Sequence, residues 1–277
     1  MAELTLLPSR GASSWAWLLI GGAVAAAVLA VGASTYEAQM FVVLTAIILV
    51  VGALLIPRAA RKDGAITPRF LVFALAAHIG GSLARYVIIQ SVYHGLSDAN
   101  GYLGAGVHLA PLFRSLQLPP FPQVGTQAMN WVTGLLVAFI GPTLLGGFVV
   151  CSALSFVGSW YFYKAFRVAF PRGDAKLYAL LIFLLPSMWY WPSSLGKDAL
   201  VVLFLGPATY GFALILRSHY VRGLAAAVVG LSGIVMIRPP IAAALAIAAA
   251  GAFLLRPAHG RSPQLTVLTW IVFVPAL

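Results

Sequence analysis

Residues 38–56 read AQMFVVLTAIILVVGALLI, and behind them come Pro57, Arg58, Ala59, Ala60, Arg61 and Lys62. A helix needs about 20 apolar residues to cross about 30 Å of hydrocarbon, and this uncharged run has that length. A cation cluster directly behind such a run is the pattern that orients a membrane helix. The alternation recurs along the chain, with apolar runs at 15–32, 38–56, 70–92, 143–163, 177–191, 200–216, 224–237 and 241–255. A ninth begins at Leu265 and is still apolar at Leu277, which reads as an interrupted span.

Composition agrees. The 277 residues are 61% hydrophobic and 8% charged, with mean hydropathy +0.97. Soluble domains carry roughly 25% charged residues because their surface must be wetted, so this chain faces lipid over most of its surface. The expected fold is therefore all-α, a polytopic transmembrane bundle of about 8–9 spans in one domain. Residues 1–69 form an N-terminal helical hairpin and 70–277 the core. Arg10 and the small residues at 31–33 imitate a secretory signal, but the apolar core exceeds the usual ~7–15 residues and reads as an uncleaved first helix.

Net charge of +11 would suggest nucleic acid for a soluble protein. Here the cations stand between apolar runs, so no nucleic-acid partner is expected. With the amino terminus in the cytoplasm and eight crossings, 13 of the 17 Lys and Arg fall inside: Arg10, Arg58, Arg61, Lys62, Arg69, Lys164, Arg167, Arg172, Lys176, Arg217, Arg222, Arg256 and Arg261. The positive-inside bias favours this orientation over its inverse. Trp160, Tyr161 and Tyr163 then close a span at the inner interface, and Trp189, Tyr190 and Trp191 close the next at the outer one. The lone Cys151 lies in an apolar run and excludes an intrachain disulfide.

The one long loop, between Tyr93 and Asn130, faces outward in this arrangement. It holds an expected short helix over 99–116, an extended Leu118-Pro119-Pro120-Phe121-Pro122 stretch, and an apolar run at 130–140. That run is read as re-entrant or surface-lying, since a crossing there would reverse every later cation cluster. Neither a repeat of 20–50 residues nor an inverted pair of halves is visible.

Four cations escape the inner clusters: Arg85, Arg114, Lys197 and Arg238. With Asp98 and Asp198 they map to the outer half, and charge near hydrocarbon costs several kcal/mol (about 3) unless paired or wetted. Asp98, in Ser97-Asp98-Ala99-Asn100-Gly101-Tyr102, suits either a helix N-cap or a general base at the membrane surface. In Trp191-Pro192-Ser193-Ser194-Leu195-Gly196-Lys197-Asp198 a span ends and the next begins near Ser194. The free amides of that helix start, with Lys197, suit a phosphate. No P-loop is present, because Trp191 stands where its first glycine would be and Asp198 follows the lysine. Against the phosphate reading stand a snorkelling Lys197 and an Asp198 that complements the helix dipole.

Arg238-Pro239-Pro240 holds a guanidinium on a bend, where its fork suits phosphate oxygens better than an anchoring role. Arg85 lies seven residues inside the outer end of its span, about 10 Å deep, and needs a carboxylate, a phosphate or water unless it snorkels. The five histidines, His78, His94, His108, His219 and His259, lack zinc-site spacing. Asp98 with His94 or His108 is a weaker alternative for holding a divalent metal, and no other cofactor is implied. Oligomeric state has no signature here.

Taken together, Ser97-Asp98-Ala99 with Tyr102, Leu185-Pro186-Ser187 leading to Trp191–Asp198, and Arg238-Pro239 resemble bacterial polytopic proteins similar to the glycosyltransferase-C superfamily. The resemblance covers about residues 70–255. It implies an inverting transferase in the bacterial inner membrane that moves a sugar from a polyprenyl-phosphate donor to an acceptor on the outer face. Its catalytic base would be Asp98, and Asn100 stands near where many members carry a second carboxylate. Lys197, Arg238, Arg85 and Ser194 would hold the lipid phosphate, supported by Tyr102, Asp198, His94 and His108. The rival readings are a transporter or flippase of an anionic lipid-linked substrate, an outer-face polysaccharide polymerase or ligase, and a structural subunit.

Overall fold

The computed structural model describes residues 35–60 and 63–254, together with Gly22. Helices occupy 81% of the described residues, and no strand occurs among them. In chain order they are α1 (Tyr36–Ala60), α2 (Pro68–Ser91), α3 (Asp98–Arg114), α4 (Thr126–Ile140), α5 (Leu144–Ala169), α6 (Ala175–Leu184), α7 (Pro186–Tyr190), α8 (Lys197–Leu216), α9 (Tyr220–Ile237) and α10 (Pro239–Leu254).

Five of these, α1, α2, α5, α8 and α9, are long and apolar enough to cross a membrane. The sequence led us to expect eight to nine spans. Of the other runs, 15–32 and the ninth lie outside the described residues. The run at 177–191 is divided into α6 and α7, because Leu185 is extended at φ −62° and ψ 127°, the conformation forced on a residue that precedes proline. Within the described residues α10 has 16 residues, about 24 Å of helix. The loop helix expected over 99–116 is α3, while 117–123 is irregular as the prolines require. The apolar run at 130–140 belongs to the 15-residue α4, which packs on α3.

Side-chain caps set the helix starts. Thr67 Oγ1 accepts from the Phe70 amide ahead of α2, with Pro68 at the first helical position. Asp174 accepts from the amides of Lys176 and Leu177, both at 3.0 Å, at the start of α6. At α5, Thr143 Oγ1 accepts from Gly146, and a second carboxylate joins from far away: Glu37 accepts from Thr143 Oγ1 at 2.7 Å, Leu144 N at 2.9 Å and Leu145 N at 2.8 Å. A helix start leaves amides without partners and carries positive potential, so Glu37 both satisfies and neutralises it. It also ties α1 to α5.

Packing centres on α8, which lies between α5 and α9. Contact there is backbone to backbone: a Cβ added to Gly158 would meet Val202 O at 2.1 Å, and one added to Gly211 would meet Ala227 N at 2.4 Å. Lipid tails supply no hydrophobic drive between helices, so close approach through small residues is what holds them.

The bundle has two chemically distinct ends. At one, Tyr163 donates to Asp63 Oδ1 at 2.6 Å, Arg167 stands 4.0 Å from the same oxygen, and Arg217 donates to Val168 O and Ala169 O. At the other lie Glu37 and the starts of α5 and α8.

Candidate functional site

At the Glu37 end, α3 begins with Ser97 in the cap position, extended at φ −158° and ψ 151°. The cap is therefore Ser97 and not Asp98, which is the first residue of the helix. Ser97 Oγ makes no cap bond and is buried without a partner. Asp98 is exposed at a helix start that favours negative charge. Five carboxylates are described: Glu37, Asp63, Asp98, Asp174 and Asp198. Four of them are hydrogen-bonded or ion-paired, and Asp98 is the one with neither among the described residues. Asn100 steadies the turn in front of it by donating from Nδ2 to Gly95 O.

Tyr102, one turn further along α3, is buried at 8% exposure. Burial pushes its phenol above the ordinary range. The charges of Asp98 and Asp198 push the same way, and Arg238 opposes them. The hydroxyl stays a donor at neutral pH, and Asp98, Asp198 and Arg238 all lie within electrostatic reach of it.

Those groups arrive on other elements. Gly196, extended at φ −173°, precedes α8 without a side-chain cap. Lys197 Nζ donates to Thr126 Oγ1 at 2.9 Å, joining the starts of α8 and α4. Asp198 Oδ1 accepts from Arg238 Nη2 at 3.0 Å, where Arg238 closes α9 and Pro239 opens α10. Gly125, at φ +89°, turns its amide onto Met236 O at 2.7 Å, a conformation that glycine adopts without steric cost. Three helix starts and one helix junction thus meet around Asp98, Tyr102, Lys197, Asp198 and Arg238.

The start of α8 is recessed. Leu195 packs on Gly147 and Gly196 lies against Cys151, so α8 begins three to seven residues below the start of α5, about 5–10 Å.

The remaining candidates have other partners. Arg85 sits over Trp191 at 4.9 Å and Tyr190 at 5.2 Å, with Nε buried and unpartnered among the described residues. Trp189 and Ser193 pack beside His78 and Gly81, midway along α2, and Tyr190 and Trp191 cover its arginine. Arg114, expected in the site, instead donates to Ala138 O at 3.1 Å and Val137 O at 3.0 Å, capping the end of α4. Ser194 is buried, and its Oγ reaches only Trp191 O at 3.5 Å. His94 is exposed in the turn after α2 at φ 50°, and His108 is exposed on α3. Among the described residues no three His, Cys, Asp or Glu side chains group to hold a metal.

Two surface hollows, one against Ile215, Tyr220, Val221 and Leu224 and one between Leu55 and Trp160, are apolar and lie apart from Asp98. Compared with protein-family models, with curated proteins and with solved structures, the chain matches none.

Proposed function

We propose that this protein acts at the outer face of a bacterial inner membrane as a transferase, moving a sugar from a polyprenyl-phosphate donor to an acceptor hydroxyl. The observation that carries the reading is Asp98: an exposed carboxylate with no hydrogen-bond or ion-pair partner among the described residues, beside a buried phenol and two cations at a helix start. The sugar and the polyprenyl chain rest on the resemblance in sequence, and the proximity of Asp98, Tyr102, Lys197 and Arg238 supports the reading of a base beside a phosphate.

In the reaction, Asp98 takes the proton from the acceptor hydroxyl as that oxygen bonds to the anomeric carbon. The bond from that carbon to the phosphate oxygen breaks, its electron pair leaves with the lipid phosphate, and the anomeric configuration inverts. Arg238 and Lys197 bind the departing charge, with the amides of the α8 start behind them. Asp198 occupies Arg238 beforehand, but an ion pair this exposed is worth about 0–1 kcal/mol, so a phosphate displaces it readily. Tyr102 donates to the acceptor or the phosphate and keeps its proton throughout.

Full-length protein in lipid, supplied with a panel of polyprenyl-phosphate sugars, tests the reading. Asp98→Asn should keep the fold, since Asn also suits a helix start, and lower turnover about 10²-fold or more. A fully active Asp98→Asn protein would refute the base. Phosphate binding without turnover in the unaltered protein would replace transfer by transport.

A further inference from the structure

One stripe of α5 carries Ser152, Ser155, Ser159 and Tyr163, each fully buried at 0% exposure. At 3.6 residues per turn they fall within about 80° of arc and extend about 16 Å along the axis. His78 of α2, equally buried, faces the stripe with Nδ1 3.4 Å from Ser155 Oγ and its ring edge-on to Phe156. Ser155 Oγ donates to Ser152 O at 2.9 Å, and the direction of its contact with His78 Nδ1 follows the imidazole tautomer. The Phe183 carbonyl also faces the ring, where it can accept from an imidazole N–H.

Three polar atoms in this column, His78 Nε2, Ser152 Oγ and Ser159 Oγ, are buried without a partner among the described residues. Each such atom costs about 1–3 kcal/mol, and a water molecule making two to four hydrogen bonds removes the cost. Among the described residues no carboxylate stands inside the column to compensate a cation. The column leads to one end of the bundle: Tyr163 hydroxyl donates to Asp63 Oδ1, and Asp63 reaches the surface with its side chain 16% exposed. Toward the opposite end it is closed by Phe148, Val149 and Leu195, all at most 2% exposed.

We propose that this column is a water-filled blind channel, in which ordered water bridges His78 Nε2, Ser152 and Ser159 and opens past Tyr163 at Asp63. It gives the His78 ring a route for proton exchange with the Asp63 side alone. The column and the Asp98 cluster share no residue, so either proposal stands if the other fails.

Water-edited solid-state NMR on full-length, histidine-labelled protein in bilayers tests it, with the His78 signal identified by its loss in His78→Gln. Magnetisation from water should reach the His78 ring on the timescale seen for exposed His94 and His108. Ser159→Val, which fills the column and removes a hydroxyl, should slow that transfer several-fold, and Tyr163→Phe should slow it without filling the column. A His78 ring that receives nothing while His94 and His108 saturate would overturn the channel. Transfer unchanged in both variants would overturn its course toward Asp63.

Discussion

Glu37 and Asp98 lie at the same end of the bundle and differ in what their charge is spent on. Glu37 accepts three hydrogen bonds at the start of α5, whereas Asp98 accepts none among the described residues. Hydrogen bonds to a charged group are worth about 1.5–3 kcal/mol each, and Gln keeps one acceptor oxygen but loses the charge. Glu37→Gln should therefore lower thermal stability by about 2 kcal/mol, read as a drop in Tm, while Asp98→Asn leaves Tm unchanged. Equal effects on Tm would mean that Asp98 is structural as well.

Arg238 tests the phosphate site at the same scale. A lysine cannot reproduce the bidentate fork, so Arg238→Lys should weaken binding of a polyprenyl-phosphate ligand, as should Lys197→Ala. The double variant should fall short of the sum, because both groups would hold one anion. Unchanged affinity in both single variants would make these cations membrane anchors. Asp98 and Lys197 were legible because each stands in a short polar segment between apolar runs. Glu37 was not legible, since its partners lie 106 to 108 residues away and no local pattern announces them.

Among the elements, α8 depends most on the absence of side chains. Gly158 leaves no room for a Cβ against the Val202 carbonyl, and backbone yields less readily than a flexible side chain. Gly158→Ala should cost about 1–3 kcal/mol, the usual range for overpacking. Gly104, on α3, has nothing within 4 Å, so Gly104→Ala should gain about 0.5–1 kcal/mol from helix propensity. Denaturation of the two variants in the same detergent separates a packing glycine from a neutral one. Apolar run length located α1, α2, α5, α8 and α9 well. It failed at 177–191, where Pro186 divides the run, because mean hydropathy does not register a broken backbone.

For the whole molecule, the two ends carry different chemistry. Arg167 and Arg217 gather with Asp63 and Tyr163 at one end, and Asp98, Lys197, Asp198 and Arg238 at the other. On positive-inside logic the Asp63 end would face the cytoplasm and the Asp98 cluster the outside, as the proposed function requires. Charge spacing made the separation of these two clusters legible from the sequence. The recess of α8 was not, because it depends on where the 191–196 segment packs against α2 and α5. The proposed transferase requires the Asp98 end to face outward, and side-specific labelling measures that directly. In a Cys151→Ala background, Leu96→Cys, exposed between α2 and α3, should react with a membrane-impermeant thiol reagent added to intact cells, and Arg172→Cys, exposed between α5 and α6, should react only after lysis. Labelling of Arg172→Cys in intact cells with Leu96→Cys protected would contradict the orientation and remove the outer-face site.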